Sequence, residues 1–280
     1  MDKTSRTSKV TIYFFHIILA CIIVFPLLFA LVSSLRPLND IFKYVAPVTL
    51  KTFIPNHITF EAYVNLFTKR GFGTVLFNTF FVAILTVIFG ILFGSMAAFA
   101  FAKFEFKGKN ILFAIVLFSF MVPFEAIAIP LYNLINDLGW VDTYYSLIVP
   151  AVANGLVIFL YRQFFIELPD SLIESARIDG ASWWKIYTTI IMPLCKPITI
   201  SAGLMLFISQ WESFMWPLIA TRSQEYKVIQ VAMSDFTTEH ATIWNEMFAA
   251  TVIAFLIPIL IVMPLQRYFV RGLANTGNKE

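Results

Sequence analysis

Residues 75–102 read VLFNTFFVAILTVIFGILFGSMAAFAFA, and between Gly71 and Lys103 no side chain carries a formal charge. A bilayer core about 30 Å thick needs about 20 apolar residues in helix, because every backbone polar group buried in lipid must be satisfied within its own segment. This stretch meets that requirement. Barrel strands would be short and would alternate apolar with polar residues, so the segment is expected to be a membrane-spanning helix.

Five further stretches satisfy the same criterion, giving expected helices over 12–35, 75–102, 111–131, 144–161, 198–220 and 247–265. The third and fifth contain Glu125 and Glu212. Lys3, Arg6 and Lys9 precede the first helix, as in a signal peptide, but its apolar run is too long and no small-x-small cleavage site follows. It is expected to be retained. The composition agrees: 59% of the 280 residues are hydrophobic and 13% charged, about half the charge of an ordinary soluble protein. An all-α integral membrane protein is expected, and a soluble enzyme, a disordered chain and a disulfide scaffold are excluded. Cys21 and Cys195 are far apart in sequence, and His16, His57 and His240 are scattered, so no metal site is expected. The net charge of +3 forms no nucleic-acid-binding patch.

With the N-terminus in the cytoplasm, six crossings return the C-terminus there, and thirteen of the 20 Lys and Arg residues fall on the cytoplasmic side. The positive-inside rule favours this orientation. Of the segments outside the membrane, 37–72 contains a mildly amphipathic stretch, Ile58–Phe67, suited to the interface. Residues 167–196 read as two short helices. Ser171 and Glu174 fit a capping box, Asp179-Gly180 supplies a turn that tolerates positive φ, and Ser182 can cap a second helix presenting Trp183, Ile186 and Ile190, with Pro193 limiting its extent.

That loop resembles the EAA loop of ABC-importer permeases: Glu174, Ala176, Gly180, Ile190 and Pro193 fall in the motif's register. Ser175 replaces its second Ala, and Met192 replaces its Leu. Phe104-Glu-Phe-Lys-Gly, Ile129-Pro-Leu-Tyr, Trp211-Glu-Ser-Phe-Met-Trp-Pro and Gln266-Arg-Tyr-Phe-Val-Arg-Gly-Leu extend the likeness over residues 10–273, to the MalG-like permeases of maltose-type carbohydrate importers. The resemblance implies a six-helix MetI-like fold within a single permease domain, 1–280, in the cytoplasmic membrane of a prokaryote. It also implies a second homologous permease, two ATPase subunits that bind ATP and Mg, and an extracytoplasmic binding protein that delivers a sugar.

Glu174, Ser175, Ala176, Asp179, Gly180, Ile190 and Pro193 would then form the ATPase-docking loop. No Gly-x-x-x-x-Gly-Lys-Ser/Thr motif occurs, so no catalytic residue and no cofactor are expected in this chain. In relatives the tail beyond Arg267 can reach toward the ATPase.

Acidic side chains within membrane segments usually face a cavity, a partner or water. Glu125, Gln210, Trp211, Glu212 and Trp216, with Ser213, are therefore candidates for the solute path; the bland alternative places each Glu near the outer interface. Relatives usually carry a neutral residue where Glu212 stands. Gly90 and Gly94 form a small-x-x-x-small pattern for close packing, against this chain or a partner. Two other readings stand beside sugar import: permeation of glycerol-phosphate-type solutes, and proton-coupled transport through the two Glu residues.

Overall fold

In a computed structural model, the structure describes the backbone of residues 6–43, 45, 48–237 and 242–277, and the side chains within this set from 11 to 266. The side chains of Lys3, Arg6, Lys9, Arg267 and Arg271 therefore lie outside the described residues, as does the tail's. Regular structure among the described residues is helical, apart from one bridge pairing Thr237 with Thr242. Four helices are long and apolar enough to cross a membrane, or up to six if each of two bent pairs makes one span.

The principal helices are α1 (Arg6–Ser34), α2 (Phe72–Lys103), α3 (Lys109–Met121), α4 (Phe124–Asp137), α5 (Tyr144–Val152) and α6 (Gly155–Glu167). They are followed by α7 (Ser171–Ile178), α8 (Trp183–Leu194), α9 (Lys196–Trp211), α10 (Met215–Ala220) and α11 (Trp244–Gly277). Three expected helices are broken. The stretch 111–131 is two helices meeting at 100°, because Pro123 ends α3 and opens α4. The stretch 144–161 breaks at Ala153-Asn154, where Asn154 Oδ1 accepts from the N–H groups of Leu156 and Val157 at 3.1 and 3.2 Å and starts α6. The stretch 198–220 ends its first helix at Trp211 and resumes at Met215.

The chain forms two compact units. The first comprises Met1–Gly73 and Ala232–Ile257. Within it the buried Arg36 donates to the carbonyls of Lys51 and Thr52, and Arg70 pairs with the buried Glu246 at 2.9 Å. The interfacial stretch expected over Ile58–Phe67 is a helix only from Glu61 to Thr68, and it buries Ala62 and Leu66.

The second unit, Thr74–Val231 with Pro258–Glu280, holds the larger core. The small-residue pattern on α2 packs within the chain. A Cβ on Gly90 would stand 2.9 Å from Leu206 Cδ1 of α9, and one on Gly94 would stand 2.7 Å from Val157 Cγ1 of α6. Ala98 continues the contact, fully buried. Three polar residues of α2 are satisfied locally or by neighbours, whereas the buried Thr86 hydroxyl has no partner among the described residues. Thr79 and Ser95 donate back to carbonyls one turn earlier, and Asn78 donates to the Glu225 and Lys227 carbonyls while accepting from Tyr144.

Close approach leaves no room for even one methyl group. Gly94→Ala should therefore destabilise the protein by about 1–3 kcal/mol, the usual cost of overpacking. Gly73→Ala, where the nearest atom would be 3.9 Å away, should be neutral. Thermal unfolding of both variants in detergent checks the pair.

Candidate functional site

Two parts of the second unit carry the candidate residues. The first is the hairpin of α7 and α8. Helix α7 ends in a Schellman arrangement: Gly180 takes φ +79°, its N–H donates to the Arg177 carbonyl at 3.0 Å, and the Ala181 N–H reaches the Ala176 carbonyl at 2.9 Å. Ser182 caps α8 by accepting from the Lys185 N–H at 3.2 Å.

The expected capping box at Ser171 is not formed. The helix begins one residue earlier, with Asp170 at the cap position and its carbonyl accepting from Ile173 and Glu174. The Asp170 carboxylate instead binds Lys103 at 2.6 Å, and Lys103 also donates to the Leu168 carbonyl at 2.8 Å. Hydrogen bonding by Lys103 and its charge hold the Asp170 carboxyl below the usual range.

Helix α8 widens to π-helical geometry over Ile186–Ile191. Pro193 has no N–H to give to Thr189 and its ring would press on that carbonyl; a wider turn relieves both problems. Pro193 does not stop the helix, which runs to Leu194 and then bends by 82° into α9. The hydroxyls of Thr188 and Thr189 donate to the Trp184 and Lys185 carbonyls in the widened stretch.

The hairpin is fused to the bundle on one side and open on the other. Ile173, Ala176, Ile186, Tyr187 and Ile191 share one buried cluster with Phe99 of α2, Phe165 of α6 and Ile198 of α9. Tyr187 hydroxyl meets Ser95 at 2.8 Å. Trp183 stands edge-on to Phe104 at 4.6 Å, with Arg177 stacked 5.2 Å from its ring centre. Of the seven residues expected in the docking loop, Ala176 is buried and Ile190 is half-buried against the core. Pro193 sits in the last turn of α8. Glu174, Ser175, Asp179 and Gly180 are exposed. Ile178, one turn from Glu174, is 87% exposed, and Trp184 is 58% exposed.

The second part is a cavity of about 440 Å³ lying where the three broken stretches meet. Its walls include Ser119, Val122 and Phe124 at the first break, Pro150, Ala153 and Asn154 at the second, and Ser209, Gln210, Ser213 and Trp216 at the third. A helix break in a membrane is tolerated where the freed backbone lines a polar cavity, and such breaks mark solute sites in other transporters.

The expected pathway residues are not all together. Gln210 and Trp216 line this cavity. Trp211 is fully buried, packed against Phe80 and Phe207 with its carbonyl accepting from Gln230, so it offers no face to a solute. Glu212 is exposed and borders a different groove, with Ile208, Pro258, Val262 and Gln266. Glu125 lies exposed in the first turn of α4, where the helix dipole favours an acid. The Trp216 indole N–H is spent on the Ser146 carbonyl at 2.8 Å. Ser119, Asn154 and Ser209 also line the cavity, outside the residues expected from sequence. Asn154 carries a local signal, a polar residue beside Gly in an apolar run, whereas Ser119 between Phe118 and Phe120 carries none.

Residues 90–275, which contain both parts, match the family of binding-protein-dependent transport system inner membrane components. The chain belongs to that family and is a membrane transport permease. It is 32% identical over 262 residues to the arabinooligosaccharides transport system permease protein AraQ of Halalkalibacterium halodurans, covering 93% of each chain. It is 33% identical over 264 residues to the sn-glycerol-3-phosphate transport system permease protein UgpE of Rhizobium meliloti, covering 91% of this chain and 92% of that one. In fold it is similar to a chain of a bacterial ABC transporter that imports the acidic polysaccharide alginate, with a TM-score of 0.82 over 96% of this chain at 24% identity.

The Lys103–Asp170 link should depend on pH. A depressed aspartate pKa contributes stability fully above the ordinary value of about 3.9 and loses it as pH falls through the lower folded value. Hydrogen exchange across 168–182, corrected for intrinsic rates, should accelerate on acidification below that range. Asp170→Asn should show the faster exchange already at pH 7 and lose the acid response.

Proposed function

We propose that this chain is a single-domain permease subunit of an ATP-driven importer that moves a sugar or oligosaccharide across a prokaryotic inner membrane. On this reading a second, homologous permease completes the channel, two ATPase subunits bind ATP and Mg and dock on the α7–α8 hairpin, and an outer binding protein delivers the solute. Both termini and the hairpin then face the cytoplasm. The observation that carries it is the hairpin's two-sided construction. Ile173, Ala176, Ile186, Tyr187 and Ile191 seal it into the core of the bundle, while Glu174 and Ile178 are exposed and Trp184, tilted against Tyr187, keeps 58% of its surface exposed. A part built this way passes a push from outside directly into α2, α6 and α9.

Closure of the ATPase dimer draws the two permeases' hairpins together, and the helices fused to them turn the channel outward. ATP and the loaded binding protein favour the same conformer, so each strengthens the other's binding. The solute then enters the cavity at the helix breaks. Family membership and the likeness to AraQ and UgpE support import as the activity; sugar as the cargo rests on the neutral polar groups around Gln210.

Burying an isoleucine is worth roughly 1.5–3 kcal/mol, which is about 10- to 100-fold in affinity. Ile178→Asp should therefore reduce recovery of the ATPase with the purified permease by that order, with the permease's own thermal midpoint unchanged. Gly180→Val, which costs about 1–2 kcal/mol through its left-handed backbone, should weaken the same association while membrane insertion survives. Full ATPase recovery with both variants would count against docking on this hairpin.

A further inference from the structure

We propose that the cavity at the three helix breaks passes uncharged, hydroxyl-rich solutes and rejects anionic ones, phosphate esters and uronates included. This rests on the cavity being the solute path. The family does not decide the matter, since the relatives include permeases named for arabinooligosaccharides and for sn-glycerol 3-phosphate.

The first observation is what the cavity offers. Among the described residues, none that lines it is Lys, Arg, His, Asp or Glu. Its polar side chains are hydroxyls and amides, and three of them, on Ser209, Gln210 and Ser213, make no hydrogen bond with any described residue. A hydroxyl and a carboxamide each both donate and accept, as a sugar hydroxyl does, so every such group can be matched by an uncharged polyol. Phe124 and Trp216, edge-on to each other at 5.8 Å, supply apolar wall for the C–H faces of a ring.

The second observation is what has been removed. Three helix starts, those of α4, α6 and α10, border the cavity, and a helix start is the usual backbone site for an anion. Each is already spent or absent as a site. Helix α4 carries Glu125 in its first turn, so a carboxylate already occupies the favourable end of its dipole. Helix α6 has two of its leading N–H groups bound by the Asn154 side chain. Helix α10 is six residues long, too short for an aligned dipole of consequence.

The basic residue that follows α10, Arg222, donates instead to the Tyr132 hydroxyl at 2.6 Å and does not line the cavity. An anion entering would shed water with no cation to replace it, whereas phosphate and carboxylate sites are ordinarily built from Arg or Lys. A neutral saccharide pays no such cost.

The test uses the complete importer, purified with its partner subunits and binding protein and reconstituted in vesicles with ATP. Two pools are offered together: neutral oligosaccharides from hydrolysed arabinan, xylan and starch, and an anionic pool of sn-glycerol 3-phosphate with hydrolysed alginate. Mass spectrometry identifies what accumulates. ATP-dependent accumulation confined to neutral saccharides is expected. Accumulation of any member of the anionic pool, or of no neutral saccharide, overturns the proposal.

Charge is then placed in the cavity with Gln210→Lys and Gln210→Glu, and ATP hydrolysis stimulated by the binding protein reports assembly. Both should lower neutral uptake at least tenfold with stimulation retained. A gain of anionic uptake in the Lys variant, absent from the wild type, would support the inference, since it supplies the cation whose lack excludes anions. Unchanged uptake in both variants would remove the cavity from the path, and with it the reading on which the inference rests.

Discussion

Lipid supplies no hydrogen bonds, and most of this structure follows from that fact. A chain that breaks three helices within apolar stretches frees backbone N–H and C=O groups at each break. Each group costs several kcal/mol if left against hydrocarbon. The breaks near residues 122, 153 and 212 are gathered around one cavity, where water or a polar solute can serve the exposed backbone. The same constraint explains why Thr79 and Ser95 of α2 return their hydroxyls to their own helix and why Asn78 is bound by Glu225, Lys227 and Tyr144.

Gathering the breaks requires the helices to stand close. In lipid there is little hydrophobic drive between apolar helices, so association relies on fit. Gly90 and Gly94 let α2 approach α9 and α6 to within the space of a methyl group. The aromatic residues then fill the wider regions, with Phe99 touching Phe104, Phe165, Trp183 and Tyr187 in turn. This aromatic knot is where the bundle and the α7–α8 hairpin become one body.

The apolar runs announced the spans because the cost of burying charge in a bilayer is large enough to show in any window of about 20 residues. The breaks were less visible. Pro123 ends a helix, yet Pro130 sits inside α4 and Pro150 inside α5, and composition does not tell the two cases apart. Glycine at position 180 was readable because only its backbone freedom was at stake. Ser171 was misplaced by one residue because Asp170 beside it is an equally good cap, and its pairing with Lys103 is a contact across 67 positions that no local pattern records. Trp211 and Trp216 lie in the same short segment, and which aromatic faces the cavity depends on how α9 ends. The π-helical widening before Pro193 left no mark other than the proline itself.

Ile178 has a consequence for how the subunit is made. A side chain of this kind held 87% in solvent would be hidden once an ATPase docked on the hairpin as proposed. A copy synthesised in excess would display it continuously, along with the 58% exposed Trp184 of α8. Such a patch is the kind of feature that chaperones and membrane proteases read. If the ATPase docks there as proposed, surplus permease would carry its own mark for removal, and the two proteins would stay in proportion without a dedicated regulator.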